Sequence, residues 1–255
     1  DTVELHTIDL SPDFDFIYLL PISDLHLGDP NCNIEKFLGY RNWLEETPNA
    51  FTILNGDILN TGIKDSVSDI YTETMPPQEQ IKKAVELLSP VKEKILAVVN
   101  GNHERRISKV AGIDITEVMA DKLGVRYAGD EVCIKLRFGK KANKKPVAYT
   151  IYATHGFGGG RTVGSKVNNL QKLSDIVLAD VYIASHTHFM TAHQDIYLVP
   201  DTRNNNIIKM KRTFVSSGAF LDRGGYGVQK GFPACKLGSP RIRLDGSRKD
   251  VHVSV

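Results

Sequence analysis

The sequence is poor in cysteine, in long apolar runs and in net charge. Its three cysteines, Cys32, Cys133 and Cys235, lie far apart and form no CxxC pair. An odd, scattered set argues against a disulfide framework and fits a reducing compartment. No apolar run approaches the ~20 residues needed to cross a bilayer. The opening DTVELHTIDL has neither the basic nor the apolar segment of a secretory leader. The expectation is a cytoplasmic protein with no membrane partner. A formal net charge of +2 excludes a globally basic chain. Internal repeats and low-complexity tracts are also missing.

What remains is an ordinary globular composition. The chain has 255 residues and an apolar fraction of 41%, enough for one sizeable core, and reads as one α/β domain over residues 1–255. Charge is unevenly spread: the N-terminal end carries Asp1, Glu4, Asp9, Asp13 and Asp15, while the last quarter carries eleven Lys and Arg between Arg203 and Lys249. Such asymmetry marks either a polyanion-binding face or a solvated surface. Phe16 to Ile22, Ala50 to Leu54 and Ile95 to Val99 read as strands. Helices are expected from Ile34 to about Glu46 behind an Asn33 cap, from Pro77 to Leu88, and from Asp114 to Leu123 before Gly124. This βαβαβα order suggests a largely parallel sheet. Glu131 to Phe138 and Val147 to Ala153 have hairpin grammar around the turn GKKANKKP. A helix from Val163 to Leu178 follows, then strands at Val181–Ala184, Ile196–Val199, Ile207–Met210 and Thr213–Ser216, and two short C-terminal runs. The sum is two packed mixed β-sheets flanked by helices.

Five polar motifs each follow one of the apolar runs: Asp24-Leu25-His26, Gly56-Asp57, Gly101-Asn102-His103-Glu104, His155-Gly156 and Ser185-His186-Thr187-His188. Residues i and i+2 of a strand point the same way, so Asp24 and His26 are expected to reach one ion together, and likewise His186 and His188. Asp57 at another strand end is placed to bridge two cations. Asn102 offers a neutral oxygen and His155 a further imidazole. Nitrogen and oxygen donors without thiolate suit two divalent transition ions, Mn²⁺ foremost, with Fe, Zn, Ni or Co as alternatives. Such a pair clamps a phosphoryl group and acidifies a shared water. His6, His193 and His252 match no motif and read as structural or surface residues.

In this order the motifs, read here as ISDLHLG, LNGDILN, NGNHERR, ATHG and ASHTHF, resemble the calcineurin-like metallophosphoesterase superfamily from about Ile22 to Phe189. The resemblance implies one metal held by Asp24, His26, Asp57 and His188, and a second by Asp57, Asn102, His155 and His186, with Asp57 bridging. It implies that Asp57 and Asn102 serve catalysis, and that His103 faces the substrate phosphate to stabilise developing charge or protonate the leaving oxygen. It also implies in-line attack by a metal-bridging hydroxide, without a phospho-enzyme. Ser185 stands where the family carries Gly, a small change expected to do little harm. Family Ser/Thr protein phosphatases carry Asp-Arg-Gly after the second motif. Here Ile58-Leu59-Asn60 follows, which disfavours that branch. ISDLHLG is similar to the first motif of DNA-repair exonucleases, although those carry added domains for which this chain has no room.

Four residues outside the ligand set are candidate substrate contacts. Arg105 and Arg106 follow the third motif, and one could hold a phosphate oxygen bidentately. The loop Gly156 to Arg161 lets backbone amides approach an anion, with Phe157 available to stack on a base and Arg161 at its end. The leading expectation is a metal-dependent phosphodiesterase or nuclease acting on a phosphate ester, with DNA or RNA as candidate partners. The alternatives are a phosphomonoesterase on a nucleotide or phosphoprotein, and a non-catalytic nucleic-acid-binding module that keeps the fold.

Overall fold

Alternating apolar residues in the first strands supply two cores at once. In β2 (Phe16–Leu19), β3 (Ala50–Asn55) and β4 (Ile95–Val99), one set of side chains (Ile17, Leu19, Ile53, Ala97, Val99) faces a second sheet. The opposite set, Leu54 and Val98 among them, faces helices α1 (Ile34–Glu46), α2 (Pro77–Leu88) and α4 (Ile115–Leu123). Strands buried on both faces read as unbroken apolar runs, which is why these three were visible in the sequence. The computed structural model describes residues 3–64, 66, 70–160, 162–225, 228, 231 and 233–255.

The five-stranded sheet has the order β11-β10-β2-β3-β4, where β10 is Arg241–Asp245 and β11 is Val251–Ser254. Strands β2, β3 and β4 run parallel, and β10 pairs antiparallel with β2. The six-stranded sheet has the order β1-β5-β6-β7-β9-β8. It contains the expected antiparallel hairpin of β5 (Glu131–Phe138) and β6 (Val147–Thr154), then β7 (Val181–Ala184) parallel to β6. Both sheets are mixed. Their inner faces share one core, and α5 (Val163–Gln171) covers Tyr152, Tyr182 and Phe214 on the outer face of the second sheet.

The helix expected to reach Leu178 ends earlier, with α5 passing into a 3-10 turn at Lys172–Asp175. The three short runs expected between Ile196 and Ser216 are parts of two long strands, β8 (Thr191–Asp201) and β9 (Asn206–Ser216), paired along their whole length. Two further elements carry little apolar signal. Strand β1 (Leu5–Asp9) has no fully buried residue, and helix α3 (Asn102–Ala111) buries only Glu104. Among the described residues, no helix is long and apolar enough to cross a membrane.

Candidate metal centre

All five motifs sit just past the ends of β2, β3, β4, β6 and β7, but the chain there is not extended. Asp24, His26, Asp57, His186 and His188 have φ between 50° and 66°, in the left-handed region. Non-glycine residues adopt that region at a cost of about 1 kcal/mol or more each. This corrects the strand argument for Asp24/His26 and His186/His188. Asp24 and His26 do come together, but on left-handed backbone rather than on one strand face, whereas His186 and His188 part: His188 joins Asp24 and His26, and His186 joins Asp57 and His155. Five strained residues in one place are typical of a site whose surroundings dictate the backbone.

Asp24, His26 and His188 offer ligand atoms that all lie within 4.8 Å of one another. Asp24 is fully buried, and its Oδ1 has no hydrogen-bond partner. That oxygen lies 3.1 Å from His188 Nε2 and 3.8 Å from His26 Nε2, and the two Nε2 atoms are 3.3 Å apart. His26 Nδ1 lies 3.2 Å from Asn60 Oδ1. A buried carboxylate oxygen without a donor is costly unless a cation completes it.

Asp57, His155 and His186 form the second group, again with ligand atoms within 4.8 Å. His155 Nδ1 is 2.8 Å from the backbone oxygen of Asn55, which can only accept, so Nδ1 carries the proton. The neutral ring then turns its Nε2 lone pair toward Asp57 Oδ2 and Asn102 Oδ1, each 3.1 Å away. Three acceptors meeting without a donor define a cation position. Without an ion, a proton takes that place: burial works against the charge, but the Asp57 carboxylate outweighs it and pushes His155 up to about 10. Asp57 itself is held far below the usual carboxylate range. Its burial would raise it, but the His155 charge dominates. The donor set of imidazole, carboxylate and amide fits divalent transition ions, which Asp24, His26 and His188 on one side and Asp57, Asn102, His155 and His186 on the other would hold.

His103 joins His26 and Asp57 in a third group of the same tightness. Its Nδ1 lies 2.9 Å from Asn60 O and therefore carries the proton. Its Nε2 is 3.9 Å from Asp57 Oδ2, and its ring meets that of His26 edge-on at 4.4 Å. Burial, reinforced by the His26 charge, pushes its pKa down to about 3, so the imidazole is neutral.

Several residues that hold this arrangement were not singled out from the sequence. The amide of His103, in the first turn of α3, donates to Asp57 Oδ1 at 2.9 Å, so the helix N-terminus faces the Asp57 carboxylate. Glu104 accepts from the backbone N–H of Asp57 and Leu59 at 3.1 and 2.8 Å. Asn55 donates to Thr154 O and to Ser185 Oγ, tying together the ends of β3, β6 and β7. Ser185 keeps a negative φ and also accepts from Ser217 Oγ, so the exchange from Gly leaves no strain. Gly56 and Gly101 are needed for space: a Cβ on Gly56 would meet His155 Nδ1 at 2.6 Å, and one on Gly101 would strike the Asp57 amide. Only the family pattern in the sequence hinted at Glu104. For Asn55 there was no signal beyond a polar residue closing an apolar run.

The four substrate-contact candidates divide. Arg105 is held in an ion pair with Asp130. Arg106 is half-buried and feels the charges of Asp57, Glu104 and Glu73, placing it beside the centre. Phe157 is 48% exposed and lines a small cavity with Lys166, Asn169 and Thr187, next to His186. Arg161 lies outside the described residues. The three non-motif histidines stay away: His6 contacts Arg126, His193 stacks on Phe214, and His252 is exposed beside Asp250.

A family model described as calcineurin-like phosphoesterase matches residues 19–190. No curated protein sequence matches the chain. Similar solved structures include an uncharacterized predicted phosphoesterase from Streptococcus pneumoniae (16% identity, 93% of this chain and 88% of that one, TM-score 0.40). A metallophosphoesterase from Sphaerobacter thermophilus is 15% identical over 94% of this chain and 88% of its own, with a TM-score of 0.42. The calcineurin-like phosphoesterase YfkN from Bacillus subtilis is 11% identical over 94% and 90%, with a TM-score of 0.40.

Proposed function

The chain belongs to the calcineurin-like phosphoesterase family, and from that premise we propose that it is a metal-dependent phosphodiesterase with nuclease activity on DNA or RNA. One observation carries the phosphoester reading. Asp57 stands between two ligand groups, sharing one with His26 and the other with His155 and His186. The diester preference is supported by charge. A phosphodiester carries one negative charge and a monoester nearly two. Of the arginine pair next to the centre, Arg105 is already engaged by Asp130.

When bound, two divalent ions, with Mn²⁺ the first choice, neutralise the phosphoryl oxygens and acidify a water. The protein's own groups then orient and protonate. Asp57 is fixed by the His103 amide, and Asn102 and His155 face it from one side. His103 donates its Nδ1–H hydrogen bond to Asn60 O, which leaves Nε2 for the substrate. Facing the phosphate, that Nε2 serves to stabilise developing charge or, once it has taken up a proton from solvent, to deliver it to the leaving oxygen. The unpaired state of Cys32, Cys133 and Cys235 supports a cytoplasmic setting.

Turnover of Mn²⁺-loaded protein on bis-p-nitrophenyl phosphate, p-nitrophenyl phosphate, and single- and double-stranded DNA tests this reading. The diester and DNA should be cleaved, and a chelator should abolish both activities. Cleavage of the monoester alone would make the protein a phosphomonoesterase. No cleavage of any substrate by protein that holds its ions would make it a binding module.

A further inference from the structure

The segment between Asp57 and α2 lies inside the family match but outside the five motifs, and it places a carboxylate behind the first ion site. Glu73 accepts from Asn60 Nδ2 through Oε1 and from Gln80 Nε2 through Oε2, the latter at 2.7 Å. Fixed donors and acceptors set the orientation of each amide. Gln80 is fully buried; its Oε1 accepts the Thr61 N–H at 2.9 Å and its Nε2 donates to Met75 O at 2.9 Å. Its Nε2 therefore faces Glu73, which acts as an acceptor there. With Asn60 Nδ2 turned to Glu73, Asn60 Oδ1 must face His26 Nδ1, 3.2 Å away. An amide oxygen only accepts, so Nδ1 carries the proton and Nε2 presents its lone pair to Asp24 and His188. The carboxylate sits in a slot left by two glycines. A Cβ on Gly28 would meet Glu73 Oε2 at 2.7 Å, and one on Gly62 would meet Glu73 Oε1 at 2.6 Å.

We propose that Glu73 is a positioning residue that acts through Asn60 to hold His26 in the Nδ1–H tautomer, with Nε2 turned to the ion shared with Asp24 and His188. This rests on the two-ion reading of the site. It assigns a role to a residue that no motif contains, and it explains why Gly28 and Gly62 flank the first and second motifs. Partners behind a ligating histidine typically tune metal affinity by about 10- to 100-fold.

Equilibrium dialysis of the full chain against Zn²⁺ and Mn²⁺ tests it, with wild type, Glu73→Gln, Asn60→Ala and the double variant. Glu73→Gln should weaken one of the two ions by about 10-fold or more and leave the other within about threefold. In the Asn60→Ala background the same change should cost almost nothing further. Should a Glu73 variant fail to fold, ¹H–¹⁵N spectra of the zinc-loaded wild type still decide. They should show His26 protonated at Nδ1 and ligated through Nε2. Ligation through Nδ1, unchanged ion affinity in Glu73→Gln, or an equal loss with and without Asn60 would each overturn the positioning role alone. A wild type that binds no ion would overturn the two-ion reading and this role with it.

Discussion

Glu104 shows how one buried acid holds the centre from behind. It is 1% exposed and accepts from the amides of Asp57 and Leu59. Glu104→Ala leaves two buried N–H groups unpaired, and urea unfolding should show a loss of about 3 kcal/mol. Its titration gives a second readout. Burial and the nearby Asp57 charge push its pKa up from 4.5 to about 7. An acid whose folded pKa is raised stabilises fully below its unfolded value and loses that contribution as pH rises through the folded one. Chelator-treated protein should therefore lose stability between about pH 4.5 and 7, and Glu104→Gln should flatten that fall. An identical slope in the variant would contradict the assignment. His103 makes a different prediction. On the proposed reading it faces the substrate without holding an ion, so His103→Gln should cut turnover by about 100-fold or more with unchanged ion content after dialysis. The candidate ligand residues were legible because five short motifs stand in one order, each after an apolar run. The residues supporting them were not. Asn55, Asn60, Glu73 and Gln80 are ordinary polar residues whose roles depend on contacts between distant segments.

Among elements, the β4–α3 junction has the least room for change. Gly101 caps α3, and its Cα lies so close to Asp57 that a side chain cannot enter without moving the Asp57 carboxylate. Gly101→Ala should lower ion affinity at both sites and stability by about 2–3 kcal/mol, the usual scale for overpacking. Isothermal titration with Mn²⁺ alongside thermal unfolding would check this, and wild-type affinity would contradict it. The same helix shows where sequence patterning stops. NHERRISKVA has only Ile107, Val110 and Ala111 at helical spacing, and Val110 is exposed while Glu104 is the one fully buried residue, so the apolar stripe is too short to mark the helix by itself. Helices α1, α2 and α4 were legible because each lays apolar residues on the β2–β3–β4 face. Strands β8 and β9 were broken into short pieces because their outer halves leave Ile196, Leu198, Ile207 and Ile208 exposed, so no buried face imposes a period of two.

Across the whole molecule, part of the basic final quarter is tied up internally. Lys211 pairs with Asp250, Arg212 with Asp195 and Lys249 with Asp180, while Arg241 and Arg243 lie over Trp43 and Phe16. Charge counted along the chain overstated the basic face because it could not see these partners. The two-sheet architecture was legible, since the parallel βαβαβα half and the antiparallel half each left their own pattern. Their packing brings five loops from distant parts of the sequence to one place. In anomalous diffraction from crystals soaked in Mn²⁺, two peaks should appear about 3.5–4 Å apart, both contacted by the Asp57 carboxylate. A single peak, or two peaks that do not share Asp57, would contradict the two-ion reading.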